Sequence, residues 1–300
     1  MEYVTFDPQA LDVRTLHPLL LDGIAPRPIA FASTVDPEGR PNLAPFSFFN
    51  VFSANPPVLI FSPARRGKDN TTKHTLENVL RVPEVVVNLV DHAMVEACSL
   101  ASGDFPEGVN EFEKAGLTAV PSETIRPPRV AESPVQLECR VLRVDSLGDG
   151  PGAGQLVVCE ITRIHYRADV MGEGGRPDAH ALDLVGRCGG NWYVRASGDA
   201  LFEVAKPLAA PGIGVDALPD DVRKSPAFDR NALAQLAAVS ELPDETEVNE
   251  HKLIELSDLF MDLEDDAVAL EKALHERAAA SLRRGEVRDA WLTLLAFNAG

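Results

Sequence analysis

Two stretches of the chain carry residues that could do chemistry. In "SPARRGKDNTTKHTLENV" (62–79), Arg65, Arg66, Lys68 and Lys73 lead into an amphipathic helical pattern, and Thr72 and Thr75 add hydroxyls. A helix start offers free N–H groups and a favourable dipole, so cations placed there suit a phosphate. The alternative is a solvated basic loop with a threonine N-cap. The stretch is not a Walker loop: the first glycine is missing, and Asp69 follows Lys68 where Ser or Thr is required. In "NLAPFSFFNVFSANPPVLIFSP" (42–63), Ser47, Asn50, Ser53, Asn55 and Ser62 interrupt an oily run that reads as two strands joined by a turn. An unpaired buried hydroxyl or amide costs about 1–3 kcal/mol. These groups therefore either face solvent or line a cleft where a polar ligand lies against apolar walls. Ser47 and Asn50 are three apart, which strict strand alternation puts on opposite faces unless a bulge or turn intervenes. Ser53 and Asn55 read as turn residues before Pro56-Pro57.

The elements that must position these groups change character near residue 206. Before it, short apolar runs alternate with turn signals: "RPIAFASTV" (27–35) closed by "DPEGR", then "PVLIFSP", "EVVVNLV" (84–90), "VQLECRVLRVDSL" (135–147) and "QLVVCEITRIHYR" (155–167). The last two flank "GDGPGAG", a hairpin connection. Val135, Leu137, Cys139 and Val141 alternate with Gln136, Glu138 and Arg140, the period of a half-exposed strand. Such spacing points to a barrel or sandwich. Helices are expected over 71–82, ended by Pro83, and over 92–102. Beyond 206, "KPLAAPGIGVDALPDD" reads as a linker or surface crossing and the rest as helix. Leu253, Leu256, Phe260 and Leu263 make an apolar stripe, and Gly285 is a stop between two helices.

Composition narrows the function classes. A formal net charge of −18 argues against non-specific nucleic-acid binding. No apolar stretch approaches the roughly 18 residues of a membrane span, and the acidic N-terminus lacks a signal-peptide layout, so a cytoplasmic protein is expected. Cys98, Cys139, Cys159 and Cys188 are scattered without C-x-x-C pairs or nearby histidines; free buried thiols and no metal site are expected. There is no nucleophile–base motif, no H-E-x-x-H and no EF-hand loop, and the Gly-x-Gly fragments in 150–154 precede no helix.

In order along the chain, "IAPRPIAFASTVDPEGRPNLAPFSFFNVFSANPPVLIFSP", "NTTKHTLENV", "EVVVNLV", "NEFEKAGLT", "RVAESPVQLECRV" and "LVGRCGGNWYV" resemble the flavin reductase-like family of FMN-binding split-barrel proteins. The resemblance spans residues 16 to 206. It implies a mainly β fold, a Greek-key split β-barrel of about six strands with flanking helices, and FMN in a cleft shared by the two subunits of a homodimer. It implies that "APFSFFN" runs along the flavin, with Ser47, Asn50 and the backbone of Phe48 and Phe49 meeting the ring, and Ser62 nearby. The phosphate falls to the 62–79 loop: Arg65, Thr72, Lys73 and Thr75, with Lys68 as a rival register. "KHT" (73–75) departs from the family's usual Lys-Asp-Thr by placing His74 at the acid. Ser33 and Thr34, ending the first strand, reach the ribityl chain or are plain turn residues. Arg27 meets the cofactor or pairs with a carboxylate, Arg187 helps hold a dimer edge, and His165 faces the barrel mouth or is structural.

The function implied is an NAD(P)H-dependent flavin or small-molecule reductase, using NADH or NADPH as hydride donor and a small-molecule electron acceptor. An FMN-binding electron carrier with no nicotinamide site shares every residue named, and a barrel that has lost its ligand is a third reading. No catalytic side chain is expected, because the chemistry belongs to the cofactor. The all-α extension over 207–300 lies outside the resemblance and reads as a helical cap or a docking module.

Overall fold

The oily run at 42–63 forms three strands where two are expected. The computed structural model describes residues 1–206 and 210–297. The chain divides into two units, Met1–Phe202 and Glu203–Gly300. In the first unit, β1 (Ala30–Val35), β2 (Pro41–Phe46), β3 (Phe49–Ala54), β4 (Pro57–Phe61) and β5 (Glu84–Asn88) precede two short strands, β6 (Ala119–Val120) and β7 (Arg129–Val130). The long hairpin β8 (Val135–Ser146) and β9 (Gln155–Tyr166) follows, then the small hairpin β10 (Val185–Arg187) and β11 (Tyr193–Arg195). The main sheet has seven antiparallel strands in the order β2-β1-β5-β8-β9-β4-β3.

β2 and β3 stand at opposite ends of that order, yet only Ser47 and Phe48 separate them in sequence. Two residues reach no more than ~7–11 Å, so the sheet has to curl until its edges meet. The edges are not hydrogen-bonded to each other, and the barrel is split at this seam.

Strand alternation sorts side chains into an inner and an outer layer. Ala30, Ala32, Phe46, Leu59, Phe61, Val85, Val87, Leu137, Cys139, Val157 and Cys159 share the inner core, which Leu76 and Val79 of helix α2 also enter. The outer layer joins Phe31 and Leu43 to Met94, Cys98, Ala101 and Phe112. Helix α1 spans Val13–Gly23, α2 His74–Arg81, α3 Val95–Ala101, α4 Glu111–Ala115 and α5 Ala179–Leu182. The cysteines are free; burial pushes the Cys98 thiol up to about 12 and raises Cys139 and Cys159 as well, which makes these three poor nucleophiles.

β8 corrects the half-exposed reading: Gln136 and Glu138 are buried, Glu138 completely. The segment around β6 and β7 supplies their partners, which no strand period could reveal. The N–H groups of Glu123 and Thr124 and the Thr124 hydroxyl donate to the Glu138 carboxylate, and His165 Nε2 lies 2.9 Å from it. Arg129 Nη1 donates to Gln136 Oε1 at 2.8 Å. His165 is thus a structural partner of Glu138.

The second unit is helical: α6 (Asp220–Lys224), α7 (Arg230–Ala237), α8 (Glu245–Glu255), α9 (Ser257–Asp262), α10 (Ala267–Arg283) and α11 (Val287–Leu295). Trp291 is buried among Leu236, Ala278 and Leu282, and its indole N–H donates to Leu236 O at 3.0 Å. Gly285, at φ +80°, ends α10: its N–H reaches Leu282 O and that of Glu286 reaches Ser281 O, a left-handed cap that a glycine adopts without penalty. The expected stripe breaks because α8 ends and α9 begins at Leu256; Leu256 is buried and Leu253 is exposed. The expected linker is largely part of this unit, with Leu218 in its core and Ile213 packed against it, while residues 207–209 of it lie outside the described residues. Among the described residues no helix is long and apolar enough to cross a membrane.

Glu138 makes stability depend on acid pH. Burial alone would raise its pKa, but the Thr124 hydroxyl, the two N–H groups and His165 overcome this and bring it down to about 2 from 4.5. A depressed carboxylate stabilises the fold above its unfolded value, and the contribution is lost as pH falls through the folded one, here from about 4.5 to about 2. The contribution is on the order of 3 kcal/mol. Urea midpoints measured across that window should fall for the native chain, and Glu138→Gln should remove about one proton's worth of the slope.

Candidate functional site

The seam of the barrel opens into a cavity of about 250 Å³. Its wall runs from Ala44 to Phe48 through the β2–β3 corner, with Ser62 and Ala64 after β4 and Lys73, His74 and Thr75 at the start of α2. His17 and Leu21 of α1, Arg66 of the basic loop, the 101–105 stretch and Glu111 also line it.

Each polar group has an identifiable support. The Ser62 hydroxyl accepts the Gln155 N–H at 3.0 Å, which leaves its own proton to give. Gly154 lies behind it, where a Cβ would sit 3.0 Å from Ser62 Oγ. Ser47 Oγ accepts from Arg27 Nε at 3.3 Å. The buried Arg27 guanidinium also donates to the carbonyls of Leu21, Ile24 and Cys188, tying the end of α1 and the loop after β10 to the corner. Thr75 Oγ1 is 3.4 Å from Asn42 Nδ2. Glu111 accepts the Leu43 N–H at 3.0 Å, and burial raises its pKa against that bond and the nearby His74.

The basic loop sorts its cations. Asp104 takes both Arg66, at 3.0 Å, and Lys68. Arg65 holds Asn70 by its side chain and carbonyl, and Asn70 in turn donates to Asp149 O at 2.9 Å on the β8–β9 turn. The Lys73 ammonium has no hydrogen bond or ion pair among the described residues, and the residue lines the cavity half-buried; burial, with Arg66 close by, lowers its pKa. Lys73 is also the N-cap of α2, and its side chain makes no capping bond. The first N–H groups of the helix are therefore left without a side-chain acceptor. An unpaired, half-desolvated ammonium beside an uncapped helix start has the chemistry to receive an anion.

Residues 23–181 match the family model described as "Flavin reductase like domain". The chain belongs to the flavin reductase-like family. An uncharacterised protein of Aquifex aeolicus is 39% identical over 207 residues, 68% of this chain and 100% of that one. Among solved structures, nitrilotriacetate monooxygenase component B from Bacillus cereus is 32% identical with a TM-score of 0.63, covering 68% of this chain and 100% of its own. Pseudomonas fluorescens 2-nitrobenzoate 2-nitroreductase NbaA is 27% identical with a TM-score of 0.62, covering 70% and 100%. The fold is the split barrel of this family, and membership makes an oxidoreductase the class of protein to which the cavity belongs.

Within the family frame, the expected residues separate. Ser47, Phe48, Ser62, Lys73 and Thr75 line the cavity. Lys73 rather than Lys68 faces it, since Lys68 turns to Asp104. Arg65 and Thr72 do not line it: Arg65 braces Asn70, and the Thr72 hydroxyl donates to Glu77. Arg27 acts one layer back, through Ser47. Phe49 packs against the inner core. Asn50 is exposed on β3, and its side chain accepts the Val51 N–H; the turn at 47–48 does intervene, yet it puts Asn50 outside the cavity. Ser33 and Thr34 are fully buried inside β1 instead of ending it in a turn; Thr34 Oγ1 accepts from Asn78 at 3.1 Å, and Ser33 Oγ has no partner among the described residues. Arg187 closes its own hairpin, donating to Gly190 O and Trp192 O and stacking on Tyr193 at 4.6 Å.

Sequence reasoning missed α1, Asp104 and Glu111. Asp12, whose side chain accepts the Thr15 N–H, was a usable N-cap signal for α1, but Pro18 inside the helix obscured it. The pairing of Asp104 with residues far upstream left no local signal. Arg27→Ala should leave the part-buried carbonyls of Leu21, Ile24 and Cys188 without this donor and lower stability by about 1–3 kcal/mol. Hydrogen exchange should accelerate at 20–24 and 187–189 while β8 and β9 keep their protection; uniform exchange changes would contradict the local bracing role.

Proposed function

We propose that the first unit binds FMN in the seam cavity and acts as an NAD(P)H-dependent flavin or small-molecule reductase, with a small molecule as electron acceptor. The observation that carries this is Lys73: a half-buried ammonium without a bonded partner among the described residues, at an uncapped helix start, in a cavity whose other lining cation, Arg66, is paired with Asp104. Lys73 and the first N–H groups of α2 would hold the phosphate. Ser47 and Ser62 would orient the polar rim of the ring, and Ala44, Pro45 and Phe46 supply an apolar wall. His17, whose ring meets Phe48 edge-on at 6.3 Å, and Phe105 limit the entry of water. When bound, FMN supplies hydride acceptance and onward electron transfer, and the protein supplies position and electrostatics.

A cavity of about 250 Å³ is below the ~300–1,000 Å³ usual for ligand sites, which supports a site completed by a second copy. Exposed Phe48, Val51 and Phe52 beside the cavity, and Leu19, Leu20 and Ile24 on α1, support a homodimer whose partner covers them. The same arrangement would give exposed Asn50 a ligand to meet. Free cysteines suit the cytoplasm, and the acidic balance suits a protein that does not bind nucleic acid.

FMN titration of protein stripped of any bound flavin, followed by quenching of flavin fluorescence, separates the cations. Lys73→Ala should weaken binding by about 1–3 kcal/mol, the scale of a lost charge-assisted bond, and Lys68→Ala should change it little. The reverse order would move the phosphate to the Lys68 register. Anaerobic mixing of the FMN-loaded protein with NADH and with NADPH should bleach the flavin with at least one of them. Failure with both, in a protein that binds FMN tightly, would make it an electron carrier.

A further inference from the structure

A second set of converging donor atoms lies in the helical unit, far in sequence from the flavin-family residues and independent of any reading of the seam cavity. Glu271 and His275 are one turn apart on α10 and share a face. Asp221 of α6 meets them, and the three side chains offer ligand atoms that all lie within 4.8 Å of one another. They line a cavity of about 420 Å³ with Ser225 and Val268.

The arrangement is built around the histidine. His275 is 7% exposed, and its ring packs on Phe228 with centroids 5.5 Å apart. Nδ1 lies 2.9 Å from Ser225 Oγ, which also accepts the Ala227 N–H at 3.3 Å. Nε2 has no hydrogen-bond partner among the described residues and faces Asp221 Oδ2 at 3.8 Å. Glu271 has neither a hydrogen bond nor an ion pair among the described residues. The lysines on the cavity wall are engaged elsewhere: Lys224 Nζ is 2.6 Å from Asp220, and Lys272 Nζ is 3.8 Å from Glu276. Two carboxylates and an imidazole nitrogen thus converge, while the two lysines of the cavity wall pair with other carboxylates.

We propose that Asp221, Glu271 and His275 bind one divalent transition cation of the zinc type, pinning α6 to α10. One nitrogen and two carboxylate oxygens make a three-ligand set for zinc, with the fourth position open to the cavity. Zinc–ligand bonds of about 2.0–2.2 Å put tetrahedral donors roughly 3.4 Å apart, so closure asks for a small movement of the accessible carboxylates. Imidazole together with so few oxygens disfavours calcium and magnesium. Ser225 does what an outer partner does at such sites, fixing the ring through its other nitrogen. Sequence alone gave no hint, because Asp221 and the Glu271/His275 pair are far apart in the chain.

The test uses the full chain, stripped with EDTA and titrated with ZnCl2 by calorimetry, followed by thermal unfolding. One equivalent should bind and raise the unfolding temperature. Asp221→Asn and Glu271→Gln alter accessible side chains, so they should keep the circular dichroism of the native chain and weaken zinc binding at least tenfold each. Cys188→Ser should bind as the native chain does. An absence of binding in the stripped native chain would overturn the proposal. So would zinc binding that survives both carboxylate substitutions, or that falls only with Cys188→Ser.

Discussion

The corner at Ser47–Phe48 is the constraint on which the first unit depends. Two residues join the outermost strands of a seven-stranded sheet, so the sheet must curve into a barrel, and its edges meet without pairing. That one junction creates both the fold and the opening. It turns Ser47 and Phe48 into the cavity, sends Asn50 to the outside, and leaves unpaired strand edges that have to be covered or protected. Arg27 reinforces the junction from behind by holding α1, the loop after β10 and Ser47 with a single buried guanidinium.

Charge around the cavity is arranged by competition. Asp104 could have neutralised any of three neighbouring cations, and it takes Arg66 and Lys68. Lys73 is left half-desolvated, a state that lowers its pKa and raises the value of any anion placed beside it. Elsewhere the protein satisfies its buried charge: Glu138 has donors from two segments, the 123–124 loop and His165 of β9, and its pKa drops to about 2 in consequence. Both residues are charges taken out of water. Glu138 is fully partnered by the chain and serves stability, whereas Lys73 is left with bonding capacity to spare, as a binding site requires.

Much of the fold was legible because strand and helix periods are local. The runs at 30–35, 57–61, 84–88, 135–146 and 155–166 became strands, the glycine-rich turn became a hairpin, and Gly285 ended its helix as its conformational freedom suggests. The misreadings share one cause. Glu138 looked solvent-facing because its partners lie in a covering segment that no alternation pattern encodes. The 42–63 run looked like two strands because a two-residue corner between apolar stretches leaves no glycine or proline mark. Leu253 looked buried because the stripe ignored the break between α8 and α9.

By itself the sequence determined the β-rich and helical parts, the family to which the first belongs, and the two polar-and-basic stretches that line much of the cavity. These follow from periodicity, turn chemistry and the order of recognisable segments, all carried by residues close together in the chain. Which lysine faces the cavity, which serine lines it, and that Asn50 and Arg65 do not, only the tertiary structure decided. Those outcomes rest on Asp104, Arg27 and Asn70 choosing among partners brought together by folding, and a competition between contacts distant in sequence has no one-dimensional signature.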